Sequence, residues 1–281
     1  MDSKLSKLSH IEAKKSLGQH FLNNSRVPSL MADAGDVKEG DTVLEIGPGT
    51  GVLTRELLSR SARVLAIETD KRAVEALHST FADEITAQKL TIIAGDVREI
   101  DLRALGLRPS AYKVVANIPY YISGFLFRTF LEHDVQPSTL VFLVQKEVAE
   151  RIARDKKESL LSLSIKVFGT PHYIKTIGKG NFTPSPKVDS AIVAVTGIDK
   201  KNFADVPQSF FFMVLHEGFK SKRKQLIGNL TSLAPRDTLS PLFVSLNIPL
   251  TARGEDLSIS TWLSLVHMLY TTHAVLIHRK H

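Results

Sequence analysis

Asn117-Ile118-Pro119-Tyr120 closes an apolar run that begins at Tyr112, and its residue types suit chemistry at an amine attached to an aromatic ring. The lone pair of such an amine is delocalised into the ring, so the nitrogen is a poor nucleophile until it is held and oriented. Asn117 offers a side-chain oxygen and the Ile118 or Pro119 carbonyl a second acceptor for the two amine hydrogens, while Tyr120 offers an aromatic face. Pro119 stiffens this backbone with its fixed φ and missing N–H. A strand that ends in an ordinary proline turn has the same pattern and needs no chemistry, so four residues alone leave both readings open.

Upstream, Val43-Leu44-Glu45-Ile46-Gly47-Pro48-Gly49-Thr50-Gly51 reads as a strand, a tight glycine turn and the start of a helix. Gly47 and Gly49 let backbone approach a ligand closely at the carboxyl end of a strand, where open α/β sheets bind cofactors. The turn by itself fits a nicotinamide dinucleotide, another nucleotide, S-adenosylmethionine, or only close helix–strand packing. Two carboxylates narrow the choice. Glu68 ends the next strand, about 20 residues on, where it can accept both ribose hydroxyls. Asp96, in Ile93-Ala94-Gly95-Asp96, ends the strand after that and can accept the amine of an adenine. Either carboxylate alone would equally be a helix cap or a solvated loop residue. The spacing Gly-x-Gly-x-Gly, with Pro48 inside it, departs from the Gly-x-Gly-x-x-Gly of pyrophosphate sites and argues against a dehydrogenase. Turn, acidic strand ends and amine motif together point to a methyltransferase acting on an amino nitrogen.

The elements that must position these residues follow from periodicity. Short apolar runs at residues 42–46, 63–68, 90–94, 113–116, 139–144, 172–176 and 191–196 alternate with amphipathic stretches such as 52–59, 71–80 and 146–154, a pattern of parallel βαβ units. The last two runs lack a helix between them and are expected to pair antiparallel at an edge. From Ile198 the strand signals stop, and residues 207–230 and 258–277 read as helices. The expected architecture is a Rossmann-like α/β sheet with helices on both faces over residues 1–200, and a small helical domain over residues 201–281.

Composition bounds the partners. The chain of 281 residues has a formal charge of +7, which favours a polyanion, and its basic residues cluster at Lys4, Lys7, Lys14 and Lys15 and again at Lys220, Lys222, Arg223 and Lys224. On a helix over 207–230, Lys220, Arg223 and Lys224 would lie beside an apolar stripe of Phe211, Leu215, Phe219 and Leu226; a solvated helix edge explains them as well as RNA does. There is no cysteine and no metal-ligand spacing among the ten histidines, so no metal site is expected. No apolar run reaches the roughly 20 residues of a membrane span, and the first ten residues carry no signal-like apolar core, so the expected location is the cytoplasm.

In order along the chain, Lys14 to Leu22, Glu45 to Gly51, Asn117 to Ser123, Gln145 to Arg151, Phe182 to Ala191 and Arg253 to Ser258 resemble the motifs of the ribosomal RNA adenine dimethyltransferases of the small-subunit, KsgA type. The resemblance spans nearly the whole chain. It implies transfer of methyl groups from S-adenosylmethionine to two adjacent adenines near the 3′ end of small-subunit rRNA, two on each, coupled to subunit maturation. It also implies cofactor contacts at His20, Leu22, Gly47, Gly49, Glu68, Asp96 and Asn117, substrate contacts at Asn117, Pro119 and Tyr120, and Phe182 flanking the target base. RNA contacts are expected at Lys14, Lys15, Lys220, Arg223 and Lys224, and the enzyme is expected to act as a monomer on the small subunit. Ser16-Leu17 departs from the Arg-Phe common in relatives and weakens the case for an RNA-gripping N-terminal arm. Relatives acting on large-subunit rRNA share the Asn-Ile-Pro-Tyr block, but the Gln145 and Phe182 blocks favour the small-subunit type. An assembly factor for which methylation is secondary is the competing reading of a different class.

Overall fold

A computed structural model describes residues 18–60 and 62–278, with side chains as far as residue 272. Lys14 and Lys15 lie outside the described residues. In chain order the elements are β1 (Phe21–Leu22), α1 (Arg26–Ala34), β2 (Thr42–Ile46), α2 (Val52–Ser59), β3 (Arg63–Glu68), α3 (Lys71–Thr80), α4 (Ala82–Thr86), β4 (Leu90–Ala94) and β5 (Lys113–Asn117). They continue with α5 (Ser123–Glu132), β6 (Thr139–Gln145), α6 (Lys146–Ala153), α7 (Leu160–Lys166), β7 (Thr170–Ile177), β8 (Phe182–Thr183) and β9 (Ser190–Thr196). Four helices follow: α8 (Gln208–Phe219), α9 (Leu226–Asn229), α10 (Arg236–Ser245) and α11 (Ile259–His278).

Runs such as Val114-Val115-Ala116 and Leu140 to Val144 are buried on both faces, which is what parallel strands covered by helices require. Seven strands form one sheet in the order β4-β3-β2-β5-β6-β9-β7, parallel except for β9, which is antiparallel to both neighbours. Val43, Val64, Val115 and Val141 pack on one face with Met31 of α1 and Leu57 of α2. On the other face Phe127 of α5 meets Phe142 edge to face at 5.0 Å. The expected antiparallel pair is present as β7 and β9, and β9 continues the sheet by pairing with β6. The two-residue strands β1 and β8, which periodicity does not reveal, form a separate antiparallel ribbon joining Leu22 to Phe182.

The chain divides into two compact units, one holding the described residues up to Glu150 with Thr170–Ile198, the other Arg151–Gly169 with the residues from Asp199 onward. Residues 151–169, assigned by their position in sequence to the sheet domain, thus group with the C-terminal helices. Aromatic packing explains it: Phe168 lies 5.1 Å from Phe203 and 6.1 Å from Phe212, and its carbonyl accepts the Asp199 amide at 2.9 Å.

The expected continuous helix over 207–230 is broken. Helix α8 stops at Phe219, and Lys220 to Gln225 form an exposed turn before α9. Consecutive like charges there gain nothing from helical stacking, and Asn229 supplies an alternative by donating from Nδ2 to the Gly218 and Ser221 carbonyls at 2.7 and 3.1 Å, satisfying groups that the helix end leaves open. The basic residues therefore sit on a turn instead of along a helix edge. Asn229→Ala should lower the stability of the protein to urea by about 1–3 kcal/mol through the two unsatisfied carbonyls, with unchanged m-value.

Candidate active site

Strand order reverses between β2 and β5, and at such a switch point the loops leaving the carboxyl ends diverge and open a cleft. The cleft is lined by His20, Gly47, Gly49, Glu68, Asp96, Asn117, Pro119 and Tyr120, so eight sequence-selected residues from five separated segments converge there. Leu22 and Phe182 do not line it. Both side chains are buried in the hydrophobic core, at 7 % and 3 % exposure.

The glycine turn is held by backbone bonds from Gly47 N–H to the Ile67 carbonyl at 2.9 Å and from Gly51 N–H to the Pro48 carbonyl at 2.8 Å. Gly47 has φ +66° and a Cβ there would project into open space with nothing within 4 Å, so a side chain would occupy the cleft itself. Gly51, at φ +70°, is required by packing instead: a Cβ would meet the Phe81 ring at 2.7 Å. Glu68 accepts the Gly49 amide on Oε2 at 3.0 Å and the Asp70 amide on Oε1 at 2.8 Å. Burial pushes its carboxyl up and those backbone amides offset part of the effect. Asp96 lies two residues beyond β4, and Arg98, which also lines the cleft, holds its carboxyl below the usual range.

Asn117 ends β5 and donates from Nδ2 to the His20 carbonyl at 3.2 Å, leaving Oδ1 without a protein partner among the described residues. Tyr120 bonds Ser190 Oγ at 2.6 Å through its hydroxyl, and its ring is stacked on His20 at 5.8 Å and 22°. His20 Nδ1 lies 2.7 Å from the Pro184 carbonyl, which can only accept, so Nδ1 carries the proton. The Pro119 carbonyl takes the Ile122 amide at 3.2 Å and keeps a second lone pair. Sequence reasoning missed Ser190 and Arg98; Arg98 could have been found from its place two residues after an acidic strand end.

An open glycine cradle, apolar walls at Ile46, Ile67, Val97 and Ile118, and carboxylates at the ends of adjacent strands fit S-adenosylmethionine, which presents a purine, a ribose diol and positive charge. Among the described residues no cluster of three or more His, Asp or Glu side chains could hold a metal ion. Fold and cleft together define an S-adenosylmethionine-dependent methyltransferase.

The comparisons with known proteins narrow the class. The chain is 38% identical over 261 residues to the ribosomal RNA small subunit methyltransferase A of Dehalococcoides mccartyi, covering 91% of this chain and 88% of that one. It is 36% identical over 260 residues to the protein of the same description from Acaryochloris marina, with 90% and 95% covered. Among solved structures it resembles a dimethyladenosine transferase from Plasmodium falciparum, with a TM-score of 0.73, 25% identity, and coverage of 90% of this chain and 98% of the other. The chain belongs to the family described as ribosomal RNA adenine dimethylase, whose pattern matches residues 10–270.

A second ionisable group lies beneath the turn. Glu45 on β2 is 1 % exposed and neither carboxyl oxygen has a hydrogen-bond partner among the described residues. Burial pushes its carboxyl up to about 8, with the neighbouring Thr54 offsetting part of the effect and the Glu68 charge adding to it. Because the folded value lies above the ordinary 4.5, the folded protein keeps a proton that the unfolded chain has released; the stability is present below pH 4.5 and lost as pH rises toward about 8. Glu45→Gln should flatten the fall in stability between pH 5 and 8, where wild type loses at most about 1.4 kcal/mol per pH unit, as read from urea unfolding at each pH.

Proposed function

We propose that the chain dimethylates the exocyclic N6 amines of two adjacent adenines near the 3′ end of small-subunit rRNA, as a cytoplasmic monomer acting during subunit maturation. The observation that carries the reading is Asn117 at the cleft, its amide nitrogen engaged by the His20 carbonyl and its oxygen free beside Tyr120. The two bacterial relatives described as small-subunit methyltransferases, similar over nine-tenths of this chain, support the choice of subunit. No helix among the described residues is long and apolar enough to cross a membrane.

In this reading Gly47 and Gly49 receive the cofactor, Glu68 accepts from the ribose hydroxyls and Asp96 from the adenine amine. Bound there, S-adenosylmethionine supplies a methyl group on a sulfonium, an already activated leaving group. The chain's own residues orient the nucleophile. Asn117 Oδ1 accepts one hydrogen of the target amine and the free lone pair of the Pro119 carbonyl accepts the other, which aims the nitrogen lone pair along the line of attack. One face of Tyr120 is covered by His20, so the flipped adenine stacks on the opposite face. Leu22 and Phe182, both buried, are register partners in the ribbon of β1 and β8 and act by holding it in place. No strong general base is required, since the proton can leave to water after transfer.

Lys220, Arg223 and Lys224 on the turn after α8, with Lys14 and Lys15, position the RNA through its phosphates. Lys220 is within 3.2 Å of Glu217, whereas Lys222, Lys224 and Arg253 line a cavity inside the C-terminal unit, which adds Lys222 and Arg253 to the basic surface.

Single-turnover methylation of unmodified small subunits tests the site. Asn117→Ala should abolish transfer while RNA binding persists, and Tyr120→Ala should lose about 1–3 kcal/mol of stacking. Tyr120→Phe, which keeps the ring and loses only the bond to Ser190, should be the mildest; equal inactivity of Tyr120→Phe and Asn117→Ala would refute stacking as the role of this side chain. Arg223→Glu with Lys224→Glu should weaken subunit binding and reduce its salt slope by about one for each phosphate no longer neutralised, leaving cofactor affinity unchanged; binding that stays normal across salt concentrations would make the turn a solvated surface.

A further inference from the structure

Two strand ends of the sheet carry the same local device, an aspartate whose carboxylate is gripped by the arginine two residues later. Asp70 accepts from the Arg72 amide at 3.2 Å, from its Nε at 3.1 Å and from Nη2 at 2.6 Å. There the aspartate is the N-cap of α3, and the pair is explained by the helix it starts. Asp96 is held in the same way, accepting the Arg98 amide on Oδ1 at 2.9 Å, Nε on both oxygens at 2.9 Å, and Nη2 on Oδ2. No helix follows Asp96: the chain turns at residues 97–99 and the next regular element is β5. Both members of this second pair line the cleft, and neither member of the first does.

An ionised carboxylate has about four acceptor positions, two on each oxygen. Three N–H groups of Arg98 make four contacts, two on each oxygen, because the Nε proton is shared between Oδ1 and Oδ2. That shared proton saturates neither oxygen, which leaves acceptor capacity for one further donor on a side chain fixed in orientation and without a proton to donate. Such a group accepts from an amine and repels a carbonyl oxygen, which is the difference between a 6-amino and a 6-oxo purine.

We infer that Arg98 is a positioning residue that sets the purine specificity of the cofactor site, holding Asp96 so that its remaining acceptor capacity reads the exocyclic amine of the cofactor. The inference rests on the reading of Asp96 as the acceptor for the adenine amine. The guanidinium keeps the Asp96 carboxyl below the usual carboxylate range, so the acceptor persists across neutral and mildly acidic pH. Arg98 is half exposed.

Calorimetric titration with S-adenosylhomocysteine and S-inosylhomocysteine, which differ at the purine 6-position, tests this without turnover. Wild type should prefer the amino ligand, and Arg98→Ala should reduce that preference by about tenfold to a hundredfold, mainly through weaker binding of the amino ligand. Arg98→Lys, which cannot form the planar fork, should fall between them. Arg72→Ala, removing the helix-capping counterpart, should leave the preference unchanged. A wild type without preference would overturn the reading of Asp96 and the role of Arg98 with it. A normal preference in wild type that survives in Arg98→Ala would overturn the role of Arg98 alone, as would tighter binding of the amino ligand in that variant, since Arg98 would then compete for Asp96 instead of orienting it.

Discussion

The Glu68 carboxylate ties the glycine turn to the sheet. One oxygen accepts the Gly49 amide and the other the Asp70 amide, so a single side chain fixes the loop after β2 and the entry to α3. Burying a carboxylate is unfavourable, and its raised pKa records that cost; the two backbone amides make it tolerable. With two of its acceptor positions filled by the protein, others stay available to ribose hydroxyls. The same group therefore shapes the turn and lines the cleft proposed for the cofactor, and the remaining residues of the cleft are arranged around a loop that it holds.

Much of the sheet was legible in the sequence because its central strands, buried on both faces, leave near-continuous aliphatic runs, and all seven selected runs are strands, the mostly exposed β7 included. Seven of the eight selected residues that line the cleft were legible because chemistry at strand ends demands particular residue types next to those runs; His20 came from the motif resemblance alone. What escaped was decided by tertiary contacts. The ribbon of β1 and β8 has two residues on each side and no period to detect. The break after Phe219 depends on Asn229 ten residues further on, and the placement of residues 151–169 depends on Phe168 finding Phe203 and Phe212. The burial of Phe182 was not legible, because a motif marks a position in sequence and says nothing of the direction in which the side chain points.

The second unit shows how a basic segment is made available. A helix edge would spread Lys222, Arg223 and Lys224 around a cylinder, whereas the observed turn presents all three exposed within a few residues. Its shape is enforced from the inside: Asn229 holds the carbonyls on one side, the Leu226 amide reaches the Ala252 carbonyl at 2.7 Å on the other, and Gly218 lies so close to the Trp262 ring that no side chain fits. Trp262 in turn donates from its indole nitrogen to the Gly254 carbonyl at 3.1 Å, so this surface rests on a rigid base.

The ribbon that pairs Phe21 with Thr183 also bears on the order of events during synthesis. The Asn117 amide leans on the carbonyl of His20, and His20 leans on the carbonyl of Pro184. A ribosome that has released the glycine turn, both carboxylates and the Asn-Ile-Pro-Tyr block has therefore produced all the recognisable chemistry but not the brace that orients it. Closing a loop of that length is slow relative to local helix and strand formation. The arrangement of Asn117 and His20 is therefore complete only once the segment around Pro184 has been made.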